Sequence, residues 1–350
     1  MGNTSKRIKG DQVEGKELVV FLPEGYQDSN KRYPVVYMHD GQNLFSGKSG
    51  PSIKWDVDKM VDRLTEGQQL QEVIVVGIYN AGEKRAEEYI PYPVDDIFNP
   101  GSILNGRGRE YTRLVGEKIV PYIDHHYRTL TSRENRAIMG SSLGGLISLW
   151  IANAFPELFT MVGALSPCAP WNFEVLEKSA HHDLRVWIDA GTAERINIQY
   201  DFAKGARQLV ERLIDQGYRY GQDLFYFEDQ DAGHEETAWA KRVEYPFRLF
   251  KGNNNWRLLD FKLEVNILGA TEAEREIYIN PVASFDNGIK FSLYQLAEYQ
   301  IREESRAKIN AQGRLELNGE EEVVVSVTYQ GIEKTIKVSK DLSFLRCILF

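Results

Sequence analysis

The stretch RAIMGSSLGGLISLWIANAF (residues 136–155) joins a short apolar run to a longer one through a turn rich in serine and glycine. RAIM is typical of a buried strand, and GLISLWIANAF is typical of a buried helix. Between them the pattern Gly-x-Ser-x-Gly fits in one register only, at Gly140, Ser142 and Gly144. A sharp strand-to-helix turn of this kind projects the central hydroxyl above a sheet. The stretch therefore favours an α/β fold and makes Ser142, rather than Ser141, the candidate nucleophile.

Strand and helix patterns recur on both sides of this turn, from Lys16 to about Phe250. We predict strands at ELVVFL, YPVVYMHD, EVIVVGIY, RAIMG, MVGALS, LRVWIDAG and LFYFEDQ, and helices at YTRLVGEKIVPYIDHHY, GLISLWIANAF and FAKGARQLVERLIDQGY. Their alternation predicts a mostly parallel sheet with helices on both faces. Because ligands bind such sheets at the carboxyl ends of the strands, candidate site residues are sought there.

A chain of 350 residues is long enough for a large and a small domain. The polar stretch KGNNN at 251–255 predicts a linker between an α/β domain (1–252) and an all-β domain (257–350). EEEVVVSVTYQGIEKTIKV predicts a hairpin that turns at Gln330 and Gly331. LLDFKLEVNIL alternates strictly, which places four apolar side chains on one face of a strand: Phe261, Leu263, Val265 and Ile267.

The charge and the cysteines exclude several classes of function. A net charge of −9 and a pI near 5.4 argue against a partner nucleic acid and against an anionic membrane surface. We expect a cytoplasmic protein, because MGNTSKRIKG contains no apolar leader, no long apolar segment follows it, and two unpaired cysteines suit a reducing compartment; a leader removed from the sequence is the alternative. Cys168 and Cys347 have no metal-type spacing, so we expect free thiols, no metal and no cofactor.

A serine nucleophile needs a base, and His234 is the histidine that fits the chain order serine, acid, histidine expected for a fold with such a serine turn. It follows the predicted strand LFYFED, in the loop DQDAGHEETAW. His39 ends a strand but precedes the serine. The other histidines are expected on a helix (His125 and His126) or in a polar connector (His181 and His182).

The acid should follow the strand VWIDA, and two carboxylates compete for the role. Glu194 lies beyond the turn at Gly191, in the loop where such acids lie, and is preferred. Asp189 is still within the strand and stands second, with Asp201 and Asp231 as outsiders. A solvated loop carboxylate is the alternative for Glu194.

Two backbone amides are candidates for holding an oxyanion: the amide of Leu143, directly after the nucleophile, and that of Gln42 in the loop HDGQNLF. A simple turn is the alternative for that loop. Cys168 is expected to border the pocket or to be a buried bystander. Six aromatic side chains either line an acyl or aryl pocket or belong to the core: Trp55, Tyr79, Tyr89, Tyr92, Trp171 and Trp239.

Several segments together resemble the "Putative esterase" family, the α/β-hydrolase group of enterochelin esterases, bacterial feruloyl esterases, esterase D and mycolyltransferases. They are, in family order, YPVVYMHDGQNLF, WDVD, RAEEYIP, IVPYIDHHYRT, IMGSSLGG, GTAE and GHEETAW. The resemblance implies an esterase with Ser142 as nucleophile, His234 as base, Glu194 as acid, and oxyanion amides at Gln42 and Leu143. Several relatives carry aspartate where GTAE has glutamate. Residues 306–338 resemble the end of a bacterial immunoglobulin-like domain.

These observations predict a serine carboxylic-ester hydrolase that acts through an acyl-enzyme on small acyl or aryl esters of feruloyl, siderophore or short-chain type. Acyl transfer to an alcohol other than water is one alternative, and a non-catalytic binding protein on a hydrolase fold is another. The expected partner is a small-molecule ester, and the C-terminal domain is the part expected to carry any homo-oligomer contact.

Overall fold

The computed structural model describes residues 7–46, 54–97, 99–170, 184–196, 200–253, 255–302 and 305–340. Its first part alternates strands and helices. The strands of this part are β1 (Ile8–Val13), β2 (Lys16–Phe21), β3 (Val35–His39), β4 (Ile74–Ile78), β5 (Val94–Asp95), β6 (Ile103–Leu104), β7 (Arg136–Ser141), β8 (Met161–Leu165), β9 (Arg185–Gly191), β10 (Arg195–Ile196), β11 (Tyr200–Asp201) and β12 (Leu224–Asp229).

The helices lie between these strands and after the last of them. They are α1 (Val57–Glu66), α2 (Arg85–Tyr89), α3 (Gly108–Arg113), α4 (Val120–His126), α5 (Leu143–Ala154), α6 (Phe202–Asp215), α7 (Glu236–Arg242) and α8 (Glu244–Lys251). A π-helical segment, Leu114–Ile119, joins α3 to α4 without a break. The α5 helix has no charged residue because it is buried along most of its length.

The main sheet has eight strands in the order β1-β2-β4-β3-β7-β8-β9-β12. Six neighbouring strands of this sheet run parallel to one another: β4, β3, β7, β8, β9 and β12. By contrast, β1 and β2 are antiparallel to their neighbours. This confirms the predicted mostly parallel sheet, and each of the seven predicted strands belongs to it. β1 was not predicted, because its sequence IKGDQV is mostly polar and its middle residues are not buried.

Helices cover both faces of the sheet, so the central strands are apolar throughout rather than alternating. Val35 and Tyr37 of β3 face one core, which includes side chains of α5 and α6. Val36 and Met38 face a second core, which includes side chains of α1 and α8. The carboxyl ends of β3, β7, β9 and β12 therefore lie at one edge between two packed layers.

The second part of the chain is all-β. Its strands are β13 (Leu258–Leu268), β14 (Glu276–Phe285), β15 (Lys290–Ser292), β16 (Glu298–Ile301), β17 (Ala307–Ile309), β18 (Arg314–Leu317), β19 (Val323–Tyr329) and β20 (Ile332–Val338). They form a sheet of β13-β14-β18-β17 with β15 beside β14, and a second sheet of β16-β19-β20. The hairpin of β19 and β20 turns at Gln330 and Gly331, both with positive φ. Its immunoglobulin-like character stays a prediction.

The burial of β13 differs from the alternation in its sequence. Glu264 and Asn266, on the polar face, are 5% and 2% exposed, whereas Leu263 and Val265, on the apolar face, are half-buried. The reason is tertiary: the polar face lies against the first part of the chain, where Asn266 donates a hydrogen bond of 2.5 Å to Glu228 at the end of β12.

The two parts pack closely along β12. Glu228 also pairs with Arg207 of α6, and both side chains are buried. Nearby, the ring of Trp256 contacts Phe225 of β12 and Phe291 of β15 at centroid distances of 5.7 and 6.3 Å. The predicted linker is thus held by packing at its end, and the division into domains 1–252 and 257–350 stays a prediction.

Candidate active site

Ser142 lies between the last residue of β7 and the first residue of α5, in a strained backbone conformation. Its φ of 57° and ψ of −124° lie in a region that residues with a side chain rarely adopt. The surrounding glycines make the turn fit: a methyl group at Gly140 would lie 2.7 Å from the carbonyl carbon of Gly144. The Gly-x-Ser-x-Gly spacing is therefore a steric requirement of this turn.

Backbone hydrogen bonds connect Ser142 to the end of β8 and to the segment that follows it. Its amide donates to the carbonyl oxygen of Leu165 at 2.9 Å, and its own carbonyl oxygen accepts from the amide of Cys168 at 3.2 Å. The strained residue is thus anchored to the end of β8, which keeps its side chain aimed at the carboxyl edge of the sheet.

His234 lies in the loop between β12 and α7 and contacts Ser142. The distance from its Nε2 to Ser142 Oγ is 3.0 Å, and its Nδ1 is 2.9 Å from Glu194 Oε2. The imidazole stacks on Phe202 with a centroid distance of 3.9 Å and meets the edge of Trp239 at 4.8 Å. These two rings fix the plane of the imidazole.

Glu194 is fully buried in the loop after β9. Burial raises the pKa of its carboxyl, but the hydrogen bond from His234 and the charge of Arg242 outweigh this effect and hold the pKa below its ordinary value. An ionised carboxylate only accepts hydrogen bonds, so Nδ1 of His234 donates to it and Nε2 accepts from the Ser142 hydroxyl. This is the tautomer that a general base requires.

Asp189, the second candidate acid, does not contact His234. Its Oδ2 accepts a hydrogen bond of 2.8 Å from Trp187 Nε1, and its Oδ1 lies 3.0 Å from Arg242 Nε. Burial raises the pKa of Asp189 to about 6. Of the two less favoured candidates, Asp201 caps α6 by accepting a hydrogen bond from the backbone amide of Lys204. The backbone amide of Asp231 donates to Thr192.

The remaining histidines lie elsewhere. His39 is buried behind the turn, 2.8 Å from the Tyr111 hydroxyl through its Nδ1, and burial lowers its pKa to about 3. His125 and His126 are exposed on α4, as expected for a helix surface. His181 and His182 lie outside the described residues.

The loop that carries Gln42 lies against the serine turn. A methyl group at Gly144 would lie 3.3 Å from both His39 Cβ and Asp40 Oδ2. The Gln42 side chain accepts a hydrogen bond of 3.3 Å from the Asn80 amide, and its carbonyl oxygen accepts one of 2.6 Å from Lys54. The Leu143 amide is the first of α5, so it has no acceptor within the helix.

Two arginines at the site were not predicted. Arg85 holds Asp40, the residue before the Gly41–Gln42 turn, through two hydrogen bonds of 2.7 and 2.8 Å. Arg242 contacts Glu194 and Asp189. The segments RAEEYIP and GHEETAW pointed to their neighbourhoods, but the contacts of these side chains depend on how α2 and α7 pack.

Most of the aromatic candidates belong to the core. Trp55, Tyr89 and Trp239 are buried, and Tyr79 and Tyr92 are half-buried. Trp171 lies outside the described residues, as does Cys347. Cys168 is a buried free thiol whose pKa is raised by burial, and it lies directly behind Ser142 through its amide.

The described residues contain no cluster of three or more His, Cys, Asp or Glu side chains arranged for a metal ion. In the same part of the chain, none of the helices combines the length and apolarity needed to cross a bilayer.

The chain is similar to several known proteins. The uncharacterized protein YbbA of Bacillus subtilis (strain 168) is 24% identical over 260 residues, covering 71% of this chain and 98% of that protein. The endo-1,4-β-xylanase/feruloyl esterase of Xylanibacter ruminicola is 26% identical over 230 residues, covering 64% of this chain and 28% of that protein. The structure of an IroE-like serine hydrolase from Shewanella oneidensis superposes with a TM-score of 0.56 at 19% identity, covering 69% of this chain and 80% of that one.

The sheet, its covering helices and the strained serine turn define the protein as an α/β-hydrolase. The model of the "Putative esterase" family matches residues 15–244. The chain therefore belongs to that family, and it is an esterase that hydrolyses carboxylic esters.

Proposed function

We propose that the protein hydrolyses small acyl or aryl esters through an acyl-enzyme formed on Ser142. The observation that carries the proposal is the chain of two contacts, 3.0 Å from Ser142 Oγ to His234 Nε2 and 2.9 Å from His234 Nδ1 to Glu194 Oε2. A serine hydroxyl is a weak nucleophile without a base at hydrogen-bond distance, and this arrangement supplies one.

In the first half of the reaction, His234 takes the proton of Ser142 as Oγ attacks the ester carbonyl. Ionised Glu194 stabilises the imidazolium, which then protonates the leaving alcohol. In the second half, water attacks the acyl-enzyme by the same route and releases the acid. We place the oxyanion at the amides of Leu143 and Gln42, because charge that develops there meets donors already in position.

Feruloyl, siderophore and short-chain esters are the proposed substrate classes. The Xylanibacter ruminicola relative carries feruloyl esterase in its name, which supports an aryl ester. A panel of p-nitrophenyl acetate, methyl ferulate and a triscatecholate ester tests this. Turnover of at least one of the three is expected, and turnover of none of them contradicts the proposal.

Adjacent serines give a matched pair of variants for the nucleophile. Ser142→Ala is expected to lower kcat/KM for p-nitrophenyl acetate by at least about 10⁴-fold, because the nucleophile is lost. Ser141→Ala removes the neighbouring hydroxyl and is expected to keep activity within a few-fold of the wild type. Labelling by a fluorophosphonate probe, followed by peptide mapping, checks the assignment. Labelling of Ser142→Ala, or its loss in Ser141→Ala alone, refutes it.

A further inference from the structure

Behind Glu194 lies a buried guanidinium that the proposed reaction does not yet use. The side chain of Arg242, on α7, is only 1% exposed. Its NH2 group donates to Glu194 Oε1 at 2.9 Å and to Ser166 Oγ at 2.7 Å. Its Nε lies 3.0 Å from Asp189 Oδ1, and its NH1 lies 3.6 Å from Asp229 Oδ2. One cation therefore faces three carboxylates, two of which are completely buried.

The two oxygens of Glu194 have different surroundings. Oε1 accepts from three donors: the amide of Gly191 at 2.8 Å, the hydroxyl of Ser166 at 2.8 Å and Arg242. Oε2 contacts the imidazole of His234. Rotation of the carboxylate would break three hydrogen bonds at once, so Oε2 stays aimed at Nδ1.

Asp189 has a different set of contacts. Trp187 donates to one of its oxygens, and the other lies against Arg242 without the angle of a linear hydrogen bond, so this second contact is an ion pair. Two buried carboxylates next to each other disfavour double ionisation, and a cation between them relieves that repulsion. The guanidinium of Arg242 therefore contacts both candidate acids.

We propose that Arg242 is a positioning residue that makes Glu194, and not Asp189, the acid partner of His234. Its charge keeps Glu194 ionised beside a second buried carboxylate, and its NH2 group turns Oε2 toward the imidazole. The inference rests on the proposed roles of Ser142 and His234.

The charges around Glu194 decide the sign of the pH effect. Besides Arg242 and His234, the facing groups are Asp189 on β9 and Asp229 at the end of β12. Lys241 on α7 and Lys262 on β13 act on the cluster through Asp229. Loss of the guanidinium removes a positive charge beside Glu194 that lowers the pKa of this carboxyl, so the variant favours the protonated carboxyl more than the wild type does. Activity in such a variant should rise at higher pH than in the wild type.

The test uses five variants, assayed for kcat and KM across pH with p-nitrophenyl acetate. Two of them each replace one carboxylate by its neutral amide, and three change Arg242. Glu194→Gln is expected to lower kcat by about 10³-fold or more, because the imidazolium loses its partner. Asp189→Asn keeps the acceptor for Trp187 and is expected to leave kcat within about threefold of the wild type, since this side chain does not touch His234.

Arg242→Met is expected to shift the rising limb of kcat/KM by about one pH unit to the alkaline side and to lower kcat by about 100-fold, with KM nearly unchanged. Arg242→Lys keeps the charge but loses the planar donor group. The pH at which kcat/KM rises should therefore be unchanged, and kcat should fall by about tenfold. The double variant Arg242→Met with Asp189→Asn removes one charge of each sign. The double variant should restore the pH at which kcat/KM rises, but it should not restore kcat. It can also be assayed if Arg242→Met alone does not fold.

The inference is overturned if Asp189→Asn loses as much kcat as Glu194→Gln. It is also overturned if folded Arg242→Met, or the double variant, has wild-type kcat. Fluorophosphonate labelling of Ser142 in the wild type distinguishes failure of the inference about Arg242 from failure of the proposed function. An unlabelled wild type rejects the proposed function, whereas a labelled wild type with unaffected Arg242 variants rejects only the role of Arg242.

Discussion

Acid is expected to destabilise the protein through His39, which is buried beside the serine turn at the end of β3. In the unfolded chain this imidazole takes up a proton near its ordinary pKa of 6.5, whereas burial lowers the pKa to about 3 in the folded protein. Asp40 raises the pKa, but burial dominates, and Arg85 and Lys16 lower the pKa further. Within the described residues, Nε2 has no hydrogen-bond partner, so the ring has no acceptor for a second proton.

Between these two pKa values the unfolded state binds more protons than the folded state. The contribution of neutral His39 is therefore complete above about pH 6.5 and is lost progressively as the pH falls toward 3. Each unit of difference is worth about 1.4 kcal/mol, so the protein should lose about 2.5 kcal/mol of unfolding free energy through this group between pH 7 and pH 4.5.

The measurement is urea unfolding followed by tryptophan fluorescence at both pH values. His39→Gln keeps a polar partner for Tyr111 but does not titrate, so its loss between the two pH values should be smaller than that of the wild type by about 2.5 kcal/mol. His125→Gln, at an exposed position on α4, serves as the control and should behave as the wild type does. Equal losses in the wild type and in His39→Gln would refute the reasoning.

Two further predictions concern ion pairs between an arginine and a carboxylate. Arg85→Ala releases Asp40 and the turn that carries Gln42, so kcat for p-nitrophenyl acetate should fall by about tenfold or more while KM changes little. Arg85→Lys should recover part of the loss, Lys84→Ala should have no effect, and an unchanged kcat in Arg85→Ala would contradict a role for this pair. Glu228→Gln leaves the guanidinium of Arg207 buried without its counter-charge, and it should lower the free energy of unfolding by about 3 kcal/mol in urea titrations. The exposed Glu298→Gln is the control, and equal stability of the two variants would show that the pair contributes nothing.

The strands of the main sheet were predictable because their signal is local. Apart from β1, the strands of the main sheet are buried along most of their length, so they appear in the sequence as short apolar runs. Those runs correspond to β2, β3, β4, β7, β8, β9 and β12. β1 lies at the edge of the sheet and carries polar residues, so its sequence does not distinguish it from a loop. For β13 the alternation predicted the strand but not its environment, because a second surface covers the polar face.

The candidate site divides in the same way. The Gly-x-Ser-x-Gly turn is specified within five residues, since the close approach of Gly140 to Gly144 is a local steric condition. The chain order of α/β-hydrolases then selected His234 from six histidines. Neither argument involves distances between segments far apart in the chain.

By itself, the sequence determined the α/β class and the strained serine, because each depends on neighbours in the chain, and the loop that carries the histidine, because the order of the site residues along the chain indicates it. Only the tertiary structure decided which carboxylate meets the imidazole. Asp189 and Glu194 are five residues apart, and both contact the guanidinium of Arg242 on α7, but of the two Glu194 is the one that contacts His234. Side-chain contacts between distant segments arise from packing, and a local pattern of residues does not encode them.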